Sequence, residues 1–503
     1  MVIVLVKKTY AEINEKIKRG DAVVVTAEEM IDIVAEKGEI VAAKEIDVVT
    51  TGTFGAMCSS GAFLNFGHSD PPIKMEKVLL NGVEAYHGTA AVDCYIGATK
   101  MSENKPFEYG GGHVIEDLVS RKAIELVATA YGTDCYPLKS LTTHITIDDL
   151  NQAILCNPRN GYQHYNAATN SRQETIYTYM GKLLSNHRNV SYSGAGCLSP
   201  LSNDPNYETI GIGTRIFLGG GIGHVIGEGT QHNPTKGFGT LMVKGDLKQM
   251  TPEFLRGAIF TKYGASIYIG LGIPIPILNE GLARKTAIAD SDLTTEIVDY
   301  GIPALNRPVI RTITYAELKS GKVELNGKSV PTSSLSSFKK AREIAIILKE
   351  WIENGEFLLS APVERLSTTE VFKPLKFRAK ATVRSYIKPA VTCTIKETVD
   401  EVAKKLIQHT TNHIVVVDEE NRLKGIVTSW DITRAVAQGR NDLSQIITTR
   451  VYTASLDDPI DHSAREMTKH DISALPVIDS QKKVIGIVTA ESTLRHFDTH
   501  TNI

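Results

Sequence analysis

The C-terminal part of the chain repeats itself, and an internal repeat restricts the available folds more than any composition does. A shift of 61 positions lays Thr392 on Thr453, Asp400 on Asp461, Ala403 on Ala464 and Asp418 on Asp479 without a gap. The same shift superimposes GIVT at 425–428 on GIVT at 486–489. Each copy reads helix, strand (IVVVD or LPVID), turn, strand, helix. Two equivalent α/β units are therefore predicted, at 381–440 and 441–503.

These copies resemble a tandem CBS-domain pair, the regulatory module that binds adenosine-containing ligands between its halves. The first copy keeps that family's ribose-binding signature as Thr428 followed three residues later by Asp431. The second has Ser492 three residues after Thr489. A carboxylate accepts from both ribose hydroxyls, whereas a serine offers one short donor-acceptor. One competent adenosyl site is expected, at Thr428 and Asp431, with Thr489 its weaker counterpart. The resemblance also implies a homodimer formed through the pair.

Ahead of the repeat, the most informative stretch is VVTTGTFGAMCSSGAFLNFGHSDPP at 48–72. Val48 and Val49 favour a strand, and Gly52, Gly55 and Gly61 then remove side-chain bulk around Cys58. With Thr51, Thr53, Ser59 and Ser60 as donors, such a loop suits an anion or a small polar substrate. Nearby donors also stabilise a thiolate, the form of cysteine that acts as nucleophile or sulfur carrier. On local features Cys58 ranks first among the six cysteines.

The bulk numbers exclude several classes. The 503 residues, 42% hydrophobic and 22% charged, suffice for roughly three globular domains. Fifty-five basic residues face 57 acidic ones with no long run of either sign, so neither a nucleic-acid surface nor a polybasic membrane contact is expected. No long apolar window occurs, and MVIVLVKK is too short for a signal peptide, so a cytoplasmic protein is expected. The cysteines are scattered and form no C-x-x-C pair, which argues against a disulfide framework, an iron–sulfur cluster or a structural zinc site.

Along the chain, helices are expected over 10–18 and after Thr26, whose cap is supported by Glu28 and Glu29 in the first turn. Asn81 with Gly82 marks a hairpin. Gly110, Gly111 and Gly112 precede an apolar stripe of Ile115, Leu118, Val119, Ala123, Leu126, Val127 and Ala130, read as one helix closed by Gly132. That places the three glycines at the positive end of a helix dipole, suited to a carboxylate, with Arg215 as the alternative anchor. Cys135 then lies past a helix C-terminus and beside Asp134, both of which disfavour a thiolate. The glycine-rich stretches around Cys197 and over 217–232 read as active-site loops, and His113, His144, His224 and His232 as ligands, acid–base groups or, without i, i+4 spacing, structural groups. SVPTSSLSS at 329–337 and the run 361–380 read as linkers around a helix bearing Ile344, Ile347, Leu348 and Trp351.

The 48–72 loop, the YGTDCYP cysteine and the CBS pair together resemble the homocysteine-biosynthesis family of methanogenic archaea, the L-aspartate semialdehyde sulfurtransferases. The resemblance covers essentially the whole chain. It implies a mixed α/β catalytic region over 1–360, and a reductive sulfur transfer that turns aspartate semialdehyde, sulfide-derived sulfur and two electrons into L-homocysteine. It places the persulfide on Cys135 and a second functional thiol on Cys58, reversing the local ranking. A Cys135 persulfide would add to the aldehyde, and Cys58 would resolve the S–S bond as a disulfide reduced from outside. It further implies no tightly bound cofactor and electrons from a separate ferredoxin-type protein. Homocysteine leads to methionine and S-adenosylmethionine, which makes S-adenosylmethionine the first ligand to consider for the CBS pair. Two alternatives stand beside this reading: an adenosyl-sensing regulator, and a CBS-containing dehydrogenase with a catalytic cysteine.

Overall fold

The computed structural model describes residues 6–375 and 381–493. It divides into two compact units, Met1–Lys373 and Pro374–Ile503. The first is mixed α/β and is dominated by a nine-stranded antiparallel sheet. Its path runs Leu255–Phe260, Gly264–Gly272, Arg215–Leu218, Gly221–Glu228, Leu241–Asp246, Gln152–Asn160, Gly61–Asn65 and Asp93–Gly97, while Thr53–Ala56 pairs with Gly264–Gly272.

The connection at Cys58 bends this sheet. Thr53–Ala56 and Gly61–Asn65 are separated by six interstrand steps, about 29 Å across a flat sheet at ~4.8 Å per step. Five residues reach at most about 17 Å. The sheet must curl until its ends approach, and a single apolar cluster accordingly contains Met57, Leu64, Leu155, Ile216, Val243 and Ile269 from around its circumference.

A six-stranded mixed sheet stands beside it, in the order Val309–Thr314, Thr294–Asp299, Ala167–Thr169, Val190–Tyr192, Lys328–Ser334 and Lys322–Leu325. Helix Phe338–Glu353 buries Ile344 and Leu348, as its stripe predicts. Thr26 caps Ala27–Lys37 with a full capping box to Glu29. Asn81 and Gly82 turn a hairpin with both φ angles positive.

Three expectations are corrected. The helix after the triple glycine stops at Val119, Arg121 takes φ +58°, and Ile124–Thr129 is a strand. Ile124, Leu126 and Ala128 are buried in alternation, a period of two that a short apolar run does not distinguish from a helical face. The supposed linker at 329–337 contains the strand Lys328–Ser334, paired in parallel with Val190–Tyr192. The supposed linker from 361 belongs to the first unit as far as Lys373. Glu364–Arg365 pairs with Gly211–Ile212 there, and the Ser367 amide donates to Glu228. The rest of that stretch, 376–380, lies outside the described residues, as do positions 494–503 of the second copy.

In the second unit the repeat persists at the level of register. Cys393 pairs with Val416 and Ala454 with Val477, both in parallel. Val416 pairs with Gly425 and Val477 with Gly486, and a bulge follows at the same place in each copy. Lys388, near the start of the first copy, pairs with Ile487 of the second, while Thr448, near the start of the second, pairs with Ile426 of the first. This exchange ties the copies into one body. Among the described residues, no helix is long and apolar enough to cross a membrane.

Candidate active site

Cys58 occupies the turn that closes the curled sheet. The Ser60 amide and hydroxyl both donate to the Met57 carbonyl, at 3.0 and 2.7 Å. The glycines around the turn serve packing: a Cβ on Gly52 would lie 2.1 Å from the Ala341 carbonyl oxygen, and one on Gly61 would lie 2.5 Å from that of Ile96. The Cys58 sulfur is 3.0 Å from the Ser266 hydroxyl of the neighbouring strand. Burial pushes this thiol above its ordinary range, while the Ser266 bond and the positive charge of Arg159 pull against that shift.

Cys58 faces a cavity of about 930 Å³ between the two large sheets. Arg159 comes from one sheet and Glu296 from the other, and Lys236, Asn306 and Arg307 come from connecting loops. The walls carry Tyr162, Tyr165, Tyr179, Tyr263 and Tyr300, and burial pushes the phenols of Tyr162, Tyr165 and Tyr300 up, keeping them neutral. Tyr179 and Tyr300 share a hydroxyl hydrogen bond of 2.8 Å. Three cations thus stand against one carboxylate. Among the described residues none of the four forms an ion pair with another side chain. Arg307 lies over the Tyr300 ring, 3.8 Å from its centroid, and its Nε is buried with no hydrogen-bond partner.

The other sequence candidates are placed elsewhere. Cys135 is exposed, in the loop between strands Ile124–Thr129 and Ser140–Ile145, where Thr133 and Tyr136 bond each other's backbone. It follows a strand, so the helix-dipole argument against its thiolate no longer applies. Gly111 begins a helix as expected, but all three glycine amides have internal acceptors: His113 Nδ1 for Gly110, and the carbonyls of Lys100 and Ala98 for Gly111 and Gly112. That leaves no amide there for a carboxylate. Arg215 stacks on Phe357 at 4.7 Å and does not line the cavity. The 217–232 stretch is mainly a hairpin, turned by Gly219 and Gly220 at positive φ. His232 accepts from the Thr240 amide at Nδ1, so its Nε2 donates to Ser367 O, a structural role. Among the described residues, no group of three or more His, Cys, Asp or Glu is placed to hold a metal ion.

In the CBS unit, Asp431 Oδ2 accepts from the Thr428 amide (3.0 Å) and hydroxyl (2.7 Å), forming the capping box of helix Ser429–Ala437. Its Oδ1 faces Arg434 at 3.2 Å. In the second copy Ser492 receives the Thr489 amide and returns its hydroxyl to the Thr489 carbonyl.

A thiol turn at the wall of a large cationic cavity is the equipment of an enzyme that works through sulfur. Residues 22–359 match the family described as homocysteine biosynthesis enzyme, sulfur-incorporation. Residues 383–438 and 443–498 each match the CBS domain. The chain belongs to the homocysteine-biosynthesis family and is a sulfurtransferase carrying a C-terminal CBS pair. It is 56% identical to the L-aspartate semialdehyde sulfurtransferase of Methanocaldococcus jannaschii, over 98% of this chain and 99% of that one. It is 53% identical to the enzyme of the same name from Methanosarcina acetivorans, over 97% and 98%. Among solved structures, it is similar to a CBS domain pair in complex with 5′-methylthioadenosine and S-adenosyl-L-methionine. That match has 42% identity over 24% of this chain and 98% of that one, with a TM-score of 0.24.

Proposed function

We propose that this sulfurtransferase converts L-aspartate semialdehyde, sulfide and two electrons into L-homocysteine, with Cys135 carrying the sulfur as a persulfide and Cys58 as its partner thiol. The observation that carries the reading is near-full-length identity to two enzymes of that name. A free thiol on an exposed loop and another at a cavity agree with it. The regulator-only and dehydrogenase alternatives do not fit a chain matched end to end by sulfurtransferases.

The chemistry balances as a cycle. Hydrosulfide attacks the Cys135 sulfur of a Cys58–Cys135 disulfide, giving the Cys135 persulfide and the Cys58 thiolate. The terminal sulfur adds to the aldehyde carbon, whose oxygen takes a proton. Cys58 then attacks the Cys135 sulfur, reforming the disulfide and releasing a hydroxythiolate, which loses water to a thioaldehyde. Two electrons and two protons reduce that carbon to the thiol. Because the disulfide is regenerated, the external electrons go to carbon; reducing both disulfide and thioaldehyde would take four. The donor is a separate ferredoxin-type protein. In this cycle the loop at 133–136 must reach the cavity mouth. Homocysteine formation is assayed for Cys135→Ser and Cys58→Ser with sulfide and a reductant; both are expected to be inactive, and full activity of Cys135→Ser overturns the mechanism.

The CBS pair is proposed to bind an adenosyl compound, S-adenosylmethionine first, at Thr428 and Asp431, with Thr489 marking the weaker copy. Asp431 Oδ1, which lies outside the cap and accepts from Arg434 at 3.2 Å, supports a ribose contact through its remaining acceptor capacity. The pair is also proposed to join two chains, and the exposed Trp430 and Ile407 support such a face. Calorimetry on the intact protein with S-adenosylmethionine, methylthioadenosine, AMP and ATP tests the site, and solution mass tests the dimer. Control of activity needs more than binding, since the ligand must favour one of two conformations.

A further inference from the structure

We infer that the Cys58 cavity recognises the α-amino-carboxylate end of the aldehyde substrate, with Arg307 holding the carboxylate and Glu296 the ammonium. This inference rests on the sulfurtransferase reading for its substrate class and on the cavity for its residues. The first observation is Arg307 itself. Its guanidinium is fixed by stacking on Tyr300 at 3.8 Å, yet its Nε is buried without an acceptor. A buried donor of a charged group left unsatisfied is costly, and a ligand oxygen removes that cost. The guanidinium fork also matches a carboxylate in two parallel hydrogen bonds.

The second observation is the charge pattern. Arg159, Lys236 and Arg307 outnumber Glu296 on the cavity wall, and among the described residues none is neutralised by an ion pair. The substrate's carboxylate gives an unpaired cation its counter-charge, and Glu296 is the acid on that wall available to its ammonium. The two arginines divide the work by position. Arg159 is tethered to the Thr230 hydroxyl at 3.2 Å, and its charge acts on the Cys58 thiol, which assigns it to the reacting end. Arg307 is left for the opposite end. A four-carbon substrate fills little of the roughly 930 Å³, leaving room for the second thiol to enter.

The test compares three aldehydes: aspartate semialdehyde, 3-aminopropanal, which lacks the carboxylate, and 4-oxobutanoate, which lacks the ammonium. Arg307→Gln is expected to raise KM for aspartate semialdehyde by about ten- to a hundredfold, the range of a lost charged hydrogen bond. It should leave 3-aminopropanal unchanged, and Arg307→Lys should recover part of the loss. Glu296→Gln is expected to spare 4-oxobutanoate selectively. An unchanged KM for aspartate semialdehyde in Arg307→Gln, or an equal loss with all three aldehydes, overturns the assignment. Calorimetry with L-homoserine, which keeps the α-amino-carboxylate but has no aldehyde, decides independently of turnover. Binding by the wild type that is lost in folded Arg307→Gln supports the site; equal affinity, or no binding to either, overturns it. Wild-type protein that binds L-homoserine but forms no homocysteine refutes the sulfurtransferase chemistry and leaves the site standing.

Discussion

The Cys58 sulfur and the Ser266 hydroxyl lie 3.0 Å apart, although 208 positions separate them in the chain. Burial favours the neutral thiol, so the bond matters most when Cys58 ionises and the hydroxyl donates to the thiolate. Ser266→Ala is expected to slow iodoacetamide alkylation of Cys58 at pH 8 by roughly tenfold, the worth of a charge-assisted hydrogen bond. Residue-resolved mass spectrometry reads this out, with Cys135 as the internal standard. Equal Cys58 rates in the two proteins rule out a stabilising role for Ser266.

Alkaline pH should weaken the fold through its buried thiols. Burial pushes Cys94 up to about 12 from the ordinary 9.0. A thiol is neutral when protonated, so the folded state keeps a proton that the unfolded chain gives up. Stability from this group is therefore full below pH 9 and is lost as pH rises from 9 toward 12. In urea titrations at pH 8, 9 and 10, Cys94→Ala should start less stable, because it leaves a small cavity. It should then lose less stability per pH unit than the parent. Parallel slopes would show that Cys94 does not titrate in this window.

Gly111 separates a packing role from a binding one. A Cβ there would lie 2.0 Å from the Gly97 carbonyl oxygen, a contact no rotamer relieves. Gly111→Ala should cost at least the ~1–3 kcal/mol of ordinary overpacking, seen as a lowered Tm. The folded fraction should keep the parent's KM. A raised KM with an unchanged Tm would return the glycine turn to the substrate site.

What the sequence makes legible is what neighbours decide. The Thr26–Glu29 capping box, the Asn81–Gly82 turn and the Cys58 turn each involve groups within a few residues, and the 61-residue repeat carries its pairing register with it. What it hides depends on distant partners. Ile124–Thr129 is a strand because Lys77–Leu80 and Ser140–Ile145 flank it, and the 361–373 stretch is ordered by Gly211–Ile212 and Glu228. The cavity follows the same rule. Arg159, Glu296 and Arg307 sit in no recognisable motif, and they meet because two sheets face each other. The triple glycine misled for a related reason: the approach that requires Gly111 and Gly112 is made by the protein's own carbonyls at Gly97 and Ser266.

The CBS pair should bind one adenosyl ligand per chain. The repeat places Asp431 and Ser492 at equivalent positions, each bonded to the threonine three residues before it. Asp431 uses Oδ2 for its cap, while Oδ1 accepts from Arg434 at 3.2 Å and keeps a second lone pair for ribose hydroxyls. Ser492 is almost fully buried, and its one hydroxyl proton goes to the Thr489 carbonyl. It has no second oxygen to offer. Calorimetry of the intact protein with S-adenosylmethionine should therefore give a stoichiometry near one, which Ser492→Ala leaves unchanged and Asp431→Ala abolishes. Asp431→Ala also removes half a capping box, so about 0.5–2 kcal/mol of stability goes with it. Asp431→Asn, which keeps one oxygen to accept in the box but loses the carboxylate, controls for that loss and should also fail to bind. Two ligands per chain, or undiminished binding by Asp431→Ala, would show that the ligand is not held through this carboxylate.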